Sequence, residues 1–269
     1  MSAKGVRVAP IASKDAHAFV RSHHYSGKST NNSQLHLGAF MGDRLVGVAQ
    51  FGPPMDRSKL IGLVRDTPWN GMLELNRLAM IDATPRNTES RFLAVCFRLM
   101  RQHAPHVQWV VSFADGTQCG DGTIYRAAGF VLTGIKRNTQ MWELPDGEAF
   151  TRMVATDTRH VGRSRLLSKM TMTKANNIQH GDGGASMRPF VEAGARPLPG
   201  FQLRYLYFID PTARARLTVP VLPFSEIDRL GAGMYLGQPR VRSIDSDAPG
   251  FQPGEGGAIP TRTLQSGDV

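Results

Sequence analysis

The sequence predicts a mixed α/β fold, in which helices flank a twisted sheet that also carries a basic insertion and a disordered C-terminal tail. Three observations predict it. Strand-like and helical patterns follow one another in the order β-β-β-α-β-α-β, which suits a mixed sheet. The composition, 41% hydrophobic and 20% charged, is that of a globular chain. The 269 residues are enough for one large domain with an extension.

The elements follow in chain order. Residues 10–25 carry Ile11, Ala12, Ala16, Phe19 and Val20 at helical spacing and run into the polar stretch Ser22–Lys28. From Gln34, Leu35, Leu37, Ala39 and Met41 alternate, Gly42-Asp43 turns, and Leu45–Phe51 returns as a hairpin. Residues 52–70 are rich in Pro, Gly and Asp and read as a loop. Gly71–Ile81 reads as a buried strand: Leu73 and Leu75 share one parity, Leu78 and Met80 the other. That slip of phase predicts a β-bulge at Asn76-Arg77. Asn87 or Thr88 then caps a helix with Phe92, Cys96, Leu99 and His103 on one stripe and Leu93, Phe97 and Met100 beside it, and it ends before Pro105. Trp109–Ala114 is a buried strand, Asp115–Gly122 a turn-rich loop, and Thr123–Ala128 a short helix stopped by Gly129. Further strands start at Phe130, at Thr139 and, after the insertion, at Leu203.

These patterns divide the chain into a core at 1–150, a basic insertion at 151–199, a final strand with a C-terminal extension at 200–240, and a Gly/Pro/Asp-rich tail at 241–269 that is expected to be disordered. No apolar run reaches the roughly 18 residues of a spanning helix, and the start lacks the apolar core of a secretory signal. A cytoplasmic protein with no membrane partner is expected. The two cysteines, Cys96 and Cys119, form no metal-type pairing, so neither a disulfide framework nor a cysteine zinc site is expected.

Charge adds a partner. The net charge is +10, and it concentrates in residues 151–240, where 13 Lys and Arg face 6 Asp and Glu. That excess favours a polyanion. Arg159, Arg163, Arg165, Lys169 and Lys174, with Arg214 and Arg216 further on, are the candidate contacts to double-stranded DNA. The same run would also suit a solvated helix face.

The middle of the core carries chemistry. A strand bulged near a helix start frees backbone donors for an acyl group, and the helix start offers unpaired N–H groups to a pyrophosphate. Arg86, Asn87, Ser90 and Arg91 stand at that start. Tyr125, in Tyr-x-x-x-Gly-Phe, is placed to protonate a departing thiolate. The arrangement resembles the GNAT acetyltransferase fold, whose members bind acetyl-coenzyme A. The usual glycines of the pyrophosphate loop are missing here, with Asn87 and Glu89 near their places. Taken alone, Ser90 and Asn87 would be helix caps and Tyr125 core packing.

A longer resemblance spans residues 18–235. Ser22–Gly27 (SHHYSG), Leu73–Leu78 (LELNRL), Pro85–Arg91 (PRNTESR), Ser112–Phe130 (SFADGTQCGDGTIYRAAGF), Phe208–Pro211 (FIDP), Arg216–Pro220 (RLTVP) and Gly231–Tyr235 (GAGMY) resemble the Mom family of phage DNA-modification proteins. The resemblance implies conversion of adenine in DNA, in a particular sequence context, to a derivative carbamoylmethylated on the exocyclic amine. That mark protects phage DNA from host restriction, which places the protein in the host cytoplasm. The resemblance also carries functional roles to His24, Tyr25, Ser90, Asp115 and Tyr125.

Such chemistry needs these residue types. The adenine amine is a poor nucleophile, so a base helps, and His24 or Asp115 could serve. The base must also leave the duplex, at about a few kcal/mol, and be held by stacking, for which Tyr25 or Tyr125 is suited. An acetyl-coenzyme A or related acyl donor is expected. Because the product is joined through a CH2, a redox metal such as iron is a further candidate, with His24 and Asp115 as ligand types. The competing readings are a conventional N-acetyltransferase on a protein or small amine, and a DNA-binding protein that only occludes restriction sites. Whether the protein is a homodimer is left open.

Overall fold

The computed structural model describes residues 3–157, 161–169, 186–235 and 237–239. Strands β1 (Arg7–Pro10), β2 (Leu35–Met41), β3 (Arg44–Gly52), β4 (Met72–Met80), β5 (Trp109–Asp115) and β6 (Val131–Arg137) form one sheet. Alongside them run helices α1 (Ser13–His23), α2 (Arg57–Ile61), α3 (Thr88–His103) and α4 (Thr123–Ala127). Beyond β6 come β7 (Met141–Glu143), β8 (Ala149–Thr151), α5 (Arg152–Thr156), α6 (Val161–Ser168), α7 (Arg188–Glu192), β9 (Arg196–Pro197) and β10 (Phe201–Phe208). The order across the large sheet is β1-β2-β3-β4-β5-β10-β6. The late strand β10 thus slots between β5 and β6, antiparallel to both.

The two faces of the sheet are covered by different helices. On one face α3 buries Phe92, Leu93, Cys96, Phe97 and Met100 against Leu37, Phe51, Leu75, Val110 and Leu203. Each such side chain stabilises the fold by roughly 1.5–3 kcal/mol. On the other face Ala16 and Val20 of α1 pack against Val48 and Ala79. The α3 stripe is rotated from the one the sequence suggested: His103 is exposed and Leu99 only half-buried, because Leu93, Phe97 and Met100 take the inner positions.

Two irregularities shape the centre. Gln50 pairs with Arg77 and Phe51 with Leu75, which leaves Asn76 as the extra residue of a β-bulge, where the slip of parity predicted one. In addition, β4 and β5 run parallel and pair only over Met72–Glu74 and Trp109–Val111. Past Glu74 they part, and the sheet opens there.

The insertion closes its own small core. Strands β8, β7 and β9 form a three-stranded sheet, and Leu144, Phe150, Ala155, Leu166, Phe190 and Ala195 cluster beneath it. Part of that core comes from before residue 150. The sequence patterns gave no sign of β1, a four-residue strand on the sheet edge that ends in proline. Among the described residues no helix is long and apolar enough to cross a membrane. The tail at 241–269, with Arg159 and Lys174, lies outside the described residues.

Candidate functional site

The bulge decides which charges meet. In β4, Leu73 and Leu75 before it and Leu78 and Met80 after it all pack toward α3. Glu74 and Arg77, of opposite parity in an unbroken strand, are therefore left on the same face, the one that α1 covers. The Arg77 guanidinium is tied down there: Nε donates to the Lys28 carbonyl at 2.9 Å and one terminal nitrogen to the Asn76 carbonyl at 2.6 Å.

Lys28 belongs to the loop that follows α1, and this loop delivers the next two groups. His24 ends the helix with extended backbone, its N–H still bonded to the Val20 carbonyl. Gly27, at φ +59°, closes a turn by donating to the His24 carbonyl at 2.8 Å. The Ser26 N–H donates to His24 Nδ1 at 3.2 Å, and Ser26 Oγ lies 2.8 Å from the same nitrogen. Nδ1 is thereby an acceptor, so the ring proton is assigned to Nε2. Burial, then the Arg77 cation, lowers the His24 pKa to about 4, which keeps the ring neutral at physiological pH. The Tyr25 ring lies 4.2 Å from the imidazole at a 33° tilt.

The far wall comes from β5 and the loop after it. Asp115, the last residue of β5, accepts from Thr117 N–H at 3.0 Å through one oxygen and from Gln118 Nε2 at 2.9 Å through the other. Cys119 N–H donates to the Asp115 carbonyl at 2.8 Å, which curls the loop back toward the site. At its end the Tyr205 hydroxyl donates to the Asp121 carbonyl at 2.6 Å. Gly122 follows at φ +83°, where an added Cβ would stand 2.5 Å from the Tyr205 ring. Only glycine satisfies both the backbone angle and that approach. Helix α4 starts there and sets Tyr125 between Phe130 and Tyr205, at ring distances of 5.2 and 5.4 Å.

Electrostatic coupling links these pieces. Tyr25 is 52% exposed, yet its hydroxyl end is crowded enough that desolvation raises its pKa, with the charges of Asp115, Cys119 and Tyr125 adding to the rise and Arg77 opposing it. The Tyr125 phenol is pushed up to about 12, mainly by burial, while its interaction with Ser112 works the other way. The Ser112 hydroxyl is wholly buried and lacks a partner in full hydrogen-bond geometry. Both phenols stay protonated at neutral pH. Glu74 is lifted to about 7, chiefly by burial, with Arg77 and Asn76 moderating the rise. Burial also raises Cys119, helped by Asp115 and by Glu89 from α3. His24, Tyr25 and Tyr125 are thus each coupled to Arg77, and Asp115 joins them through Tyr25. Glu74, Arg77, Ser112 and Cys119 complete the cluster and were not singled out in the sequence. Two charged residues inside the strand LELNRL, which reads as buried, were the available signal.

The start of α3 is the candidate donor site. Asn87 occupies the N-cap position in the left-handed region, at φ +67°, and its side chain makes no capping bond. The first-turn N–H groups of Glu89 and Ser90 have no helical partner. Ser90 Oγ donates to the Asn87 carbonyl at 3.2 Å, while Arg86 and Arg91 are exposed beside it. These groups fit a phosphate-bearing donor. A metal is not similarly served. Among the described residues no three His, Cys, Asp or Glu side chains gather as a ligand set, and His24 and Asp115 find no third member.

Among the described residues of the insertion, Arg163, Arg165 and Lys169 are engaged locally. Arg163, only 8% exposed, donates to the Ala155 carbonyl and lies over the Phe190 ring. Arg165 pairs with Glu148, and Lys169 with Asp146 and Glu148. Arg216 donates to the Arg65 and Asp66 carbonyls and to Gln108. Arg214 is exposed.

Comparison with known proteins matches this chain to the Mom protein family over residues 5–226. Over 215 residues, 80% of each chain, it is 33% identical to a protein of Escherichia phage Mu named methylcarbamoylase mom. Among solved structures, Arabidopsis thaliana NAA60 in complex with a bisubstrate analogue aligns at a TM-score of 0.42 and 9% identity, covering 76% of this chain and 97% of that one. The ribosomal-protein-S18-alanine N-acetyltransferase of Escherichia coli aligns at 0.35 and 11% identity, covering 54% and 88%.

Proposed function

The chain belongs to the Mom protein family, and on that premise we propose that it is a phage DNA-modification enzyme converting adenine in DNA to its N6-carbamoylmethyl derivative, which shields the DNA from host restriction. One observation carries the assignment to a site: the coupling of His24, Tyr25 and Tyr125 to Arg77, with Asp115 joined through Tyr25, near where the sheet opens.

The roles follow from the state of each group. The adenine amine must lose a proton as its nitrogen forms the new bond. Of the two bases named from the sequence, His24 has its one ring lone pair occupied by Ser26. Asp115 keeps spare lone pairs on both oxygens beyond the two bonds it accepts. Asp115 is therefore the proton acceptor, and His24 holds the plane of Tyr25. An extruded purine stacks on the exposed Tyr25 ring, an interaction worth about 1–3 kcal/mol. Tyr125, protonated and buried at its hydroxyl end, donates a proton or hydrogen bond to the departing side of the donor. Arg77 supplies a fixed positive charge for developing negative charge.

An acetyl-coenzyme A or related donor would lie on the start of α3, with Arg86 and Arg91 meeting phosphates and Asn87 and Ser90 shaping the turn. When bound, such a donor would supply the two carbons of the substituent; its methyl carbon would have to give up two electrons to an oxidant, and an ammonia equivalent would have to displace its thiol, for the amine-linked CH2–CO–NH2 group to form. Double-stranded DNA is the acceptor, with Arg214 available on the surface and the insertion cations Arg159, Arg163, Arg165, Lys169 and Lys174, together with Arg216, as further candidate contacts.

Mass analysis of nucleosides from cells expressing the protein tests the proposal. A carbamoylmethylated deoxyadenosine is expected. Unmodified DNA with an acetylated acceptor elsewhere would replace this reading with an N-acetyltransferase, and restriction protection without a modified nucleoside would leave a DNA-binding protein.

A further inference from the structure

A basic hollow of about 560 Å³ lies against the loop that carries His24 and Tyr25. One wall is helix α1, where Lys14, His17 and Arg21 stand at i, i+3 and i+7 and so share a single stripe. The other wall is the loop segment from Gly27 to Asn31, with Lys28 projecting from it. The walls are joined at the floor, where His17 Nδ1 bonds Ser29 Oγ and that hydroxyl donates to Gln50 Oε1 at 3.1 Å.

Three features separate this hollow from the basic residues of the insertion. Lys14, Arg21 and Lys28 are all exposed, and none has an ion-pair partner among the described residues. The insertion cations Arg165 and Lys169 are instead neutralised by Glu148 and Asp146. The hollow is also coupled to the site, since the Lys28 carbonyl receives Arg77 Nε at 2.9 Å and Lys28 follows Tyr25 by three residues. The only acid on α1 is Asp15, one position off the stripe. Three such cations on the two walls of one hollow, beside the loop that carries Tyr25, suit a polyanion such as a nucleic-acid strand.

We propose that this hollow, through Lys14, Arg21 and Lys28, seats the backbone phosphates of the DNA strand that carries the target adenine. The proposal rests on the reading of the protein as a DNA-modifying enzyme. The phosphates would anchor the strand on α1 and present the adjoining nucleotide to Tyr25. Contacts of this kind position the strand without reading its sequence.

The test uses the purified full-length protein and a duplex oligonucleotide, with binding measured against salt concentration and steady-state modification measured alongside. In the triple variant Lys14→Ala/Arg21→Ala/Lys28→Ala, the slope of log affinity against log salt is expected to shrink by about 0.9 for each phosphate that the protein no longer neutralises. KM for DNA should rise about ten-fold or more, and excess DNA should restore the rate. A charge-retaining variant, Lys14→Arg/Arg21→Lys/Lys28→Arg, should keep the wild-type slope, and this separates lost charge from disturbed folding. An unchanged slope and KM in the triple alanine variant would overturn the proposal, above all if Arg165→Ala/Lys169→Ala lowers the slope instead. If the wild-type protein neither binds the duplex nor yields a modified nucleoside, the enzyme reading itself fails, and that result is distinct from a wild type that works while the triple variant matches it.

Discussion

The His24 and Tyr25 rings lie 4.2 Å apart at a 33° tilt, so the residue that ends α1 fixes the plane of the residue that follows. Stacking and acid–base roles can be separated at this pair. Tyr25→Phe keeps the platform and should change KM for DNA by less than about three-fold, because stacking does not require the hydroxyl. Tyr25→Ala should raise KM by about ten-fold or more. Steady-state kinetics on both variants checks this, and equal losses in the two would move the role from the ring to the hydroxyl.

Glu74 gives the site a measurable pH signature. Burial lifts its pKa to about 7, so the fold favours its protonated form. Between the unfolded carboxylate range and about 7 the folded state holds more protons than the unfolded, and stability falls as pH rises through that window. Glu74→Gln removes the fall. It should leave the melting temperature near wild type at pH 4 and raise it at pH 8, by a gain bounded at about 3 kcal/mol. If the carboxylate also tunes Arg77, the variant should lose a limb centred on about pH 7 from the rate profile. Melting curves that shift equally at both pH values would contradict the burial argument.

Gly122→Ala tests how the loop places Tyr125. The substitution meets both a φ of +83° and a Tyr205 ring 2.5 Å from the new Cβ, so it should destabilise the protein by about 1–3 kcal/mol. It should also depress turnover by more than the loss of folded protein explains, since α4 carries Tyr125. Denaturant unfolding measured beside activity separates the two effects.

Arg163 is expected to act through stability. Its guanidinium is buried and bonded to the Ala155 carbonyl over Phe190. Arg163→Ala should therefore cost about 1–3 kcal/mol and leave the salt dependence of DNA binding as it was. A reduced salt slope with unchanged stability would return this residue to the DNA-contacting surface.

The parts of the fold legible in the sequence were those with strong local signals. The hairpin, the slip of parity at Asn76, the helix before Pro105 and the Gly129 stop all appear where pattern and turn chemistry placed them. The missing edge strand β1 is too short to show alternation. The insertion of β10 between β5 and β6 is a long-range pairing that no local pattern encodes. In the site, His24, Tyr25, Asp115 and Tyr125 stood out through their motifs. Glu74 and Arg77 did not, because they face the same side only once the bulge has reversed the parity of β4. The occupied state of Arg163 and Lys169 was invisible for a similar reason: charge counts do not show which cations already have partners.

The most direct measurement is the fraction of carbamoylmethylated deoxyadenosine in DNA from cells making wild-type protein, Asp115→Asn, or a distant surface variant such as Arg229→Ala. The convergent site predicts a modified nucleoside with the wild type and with Arg229→Ala, and a loss of about a hundred-fold or more with Asp115→Asn at equal levels of folded protein, the scale of a general base removed. Full modification by Asp115→Asn would contradict the role given to this cluster.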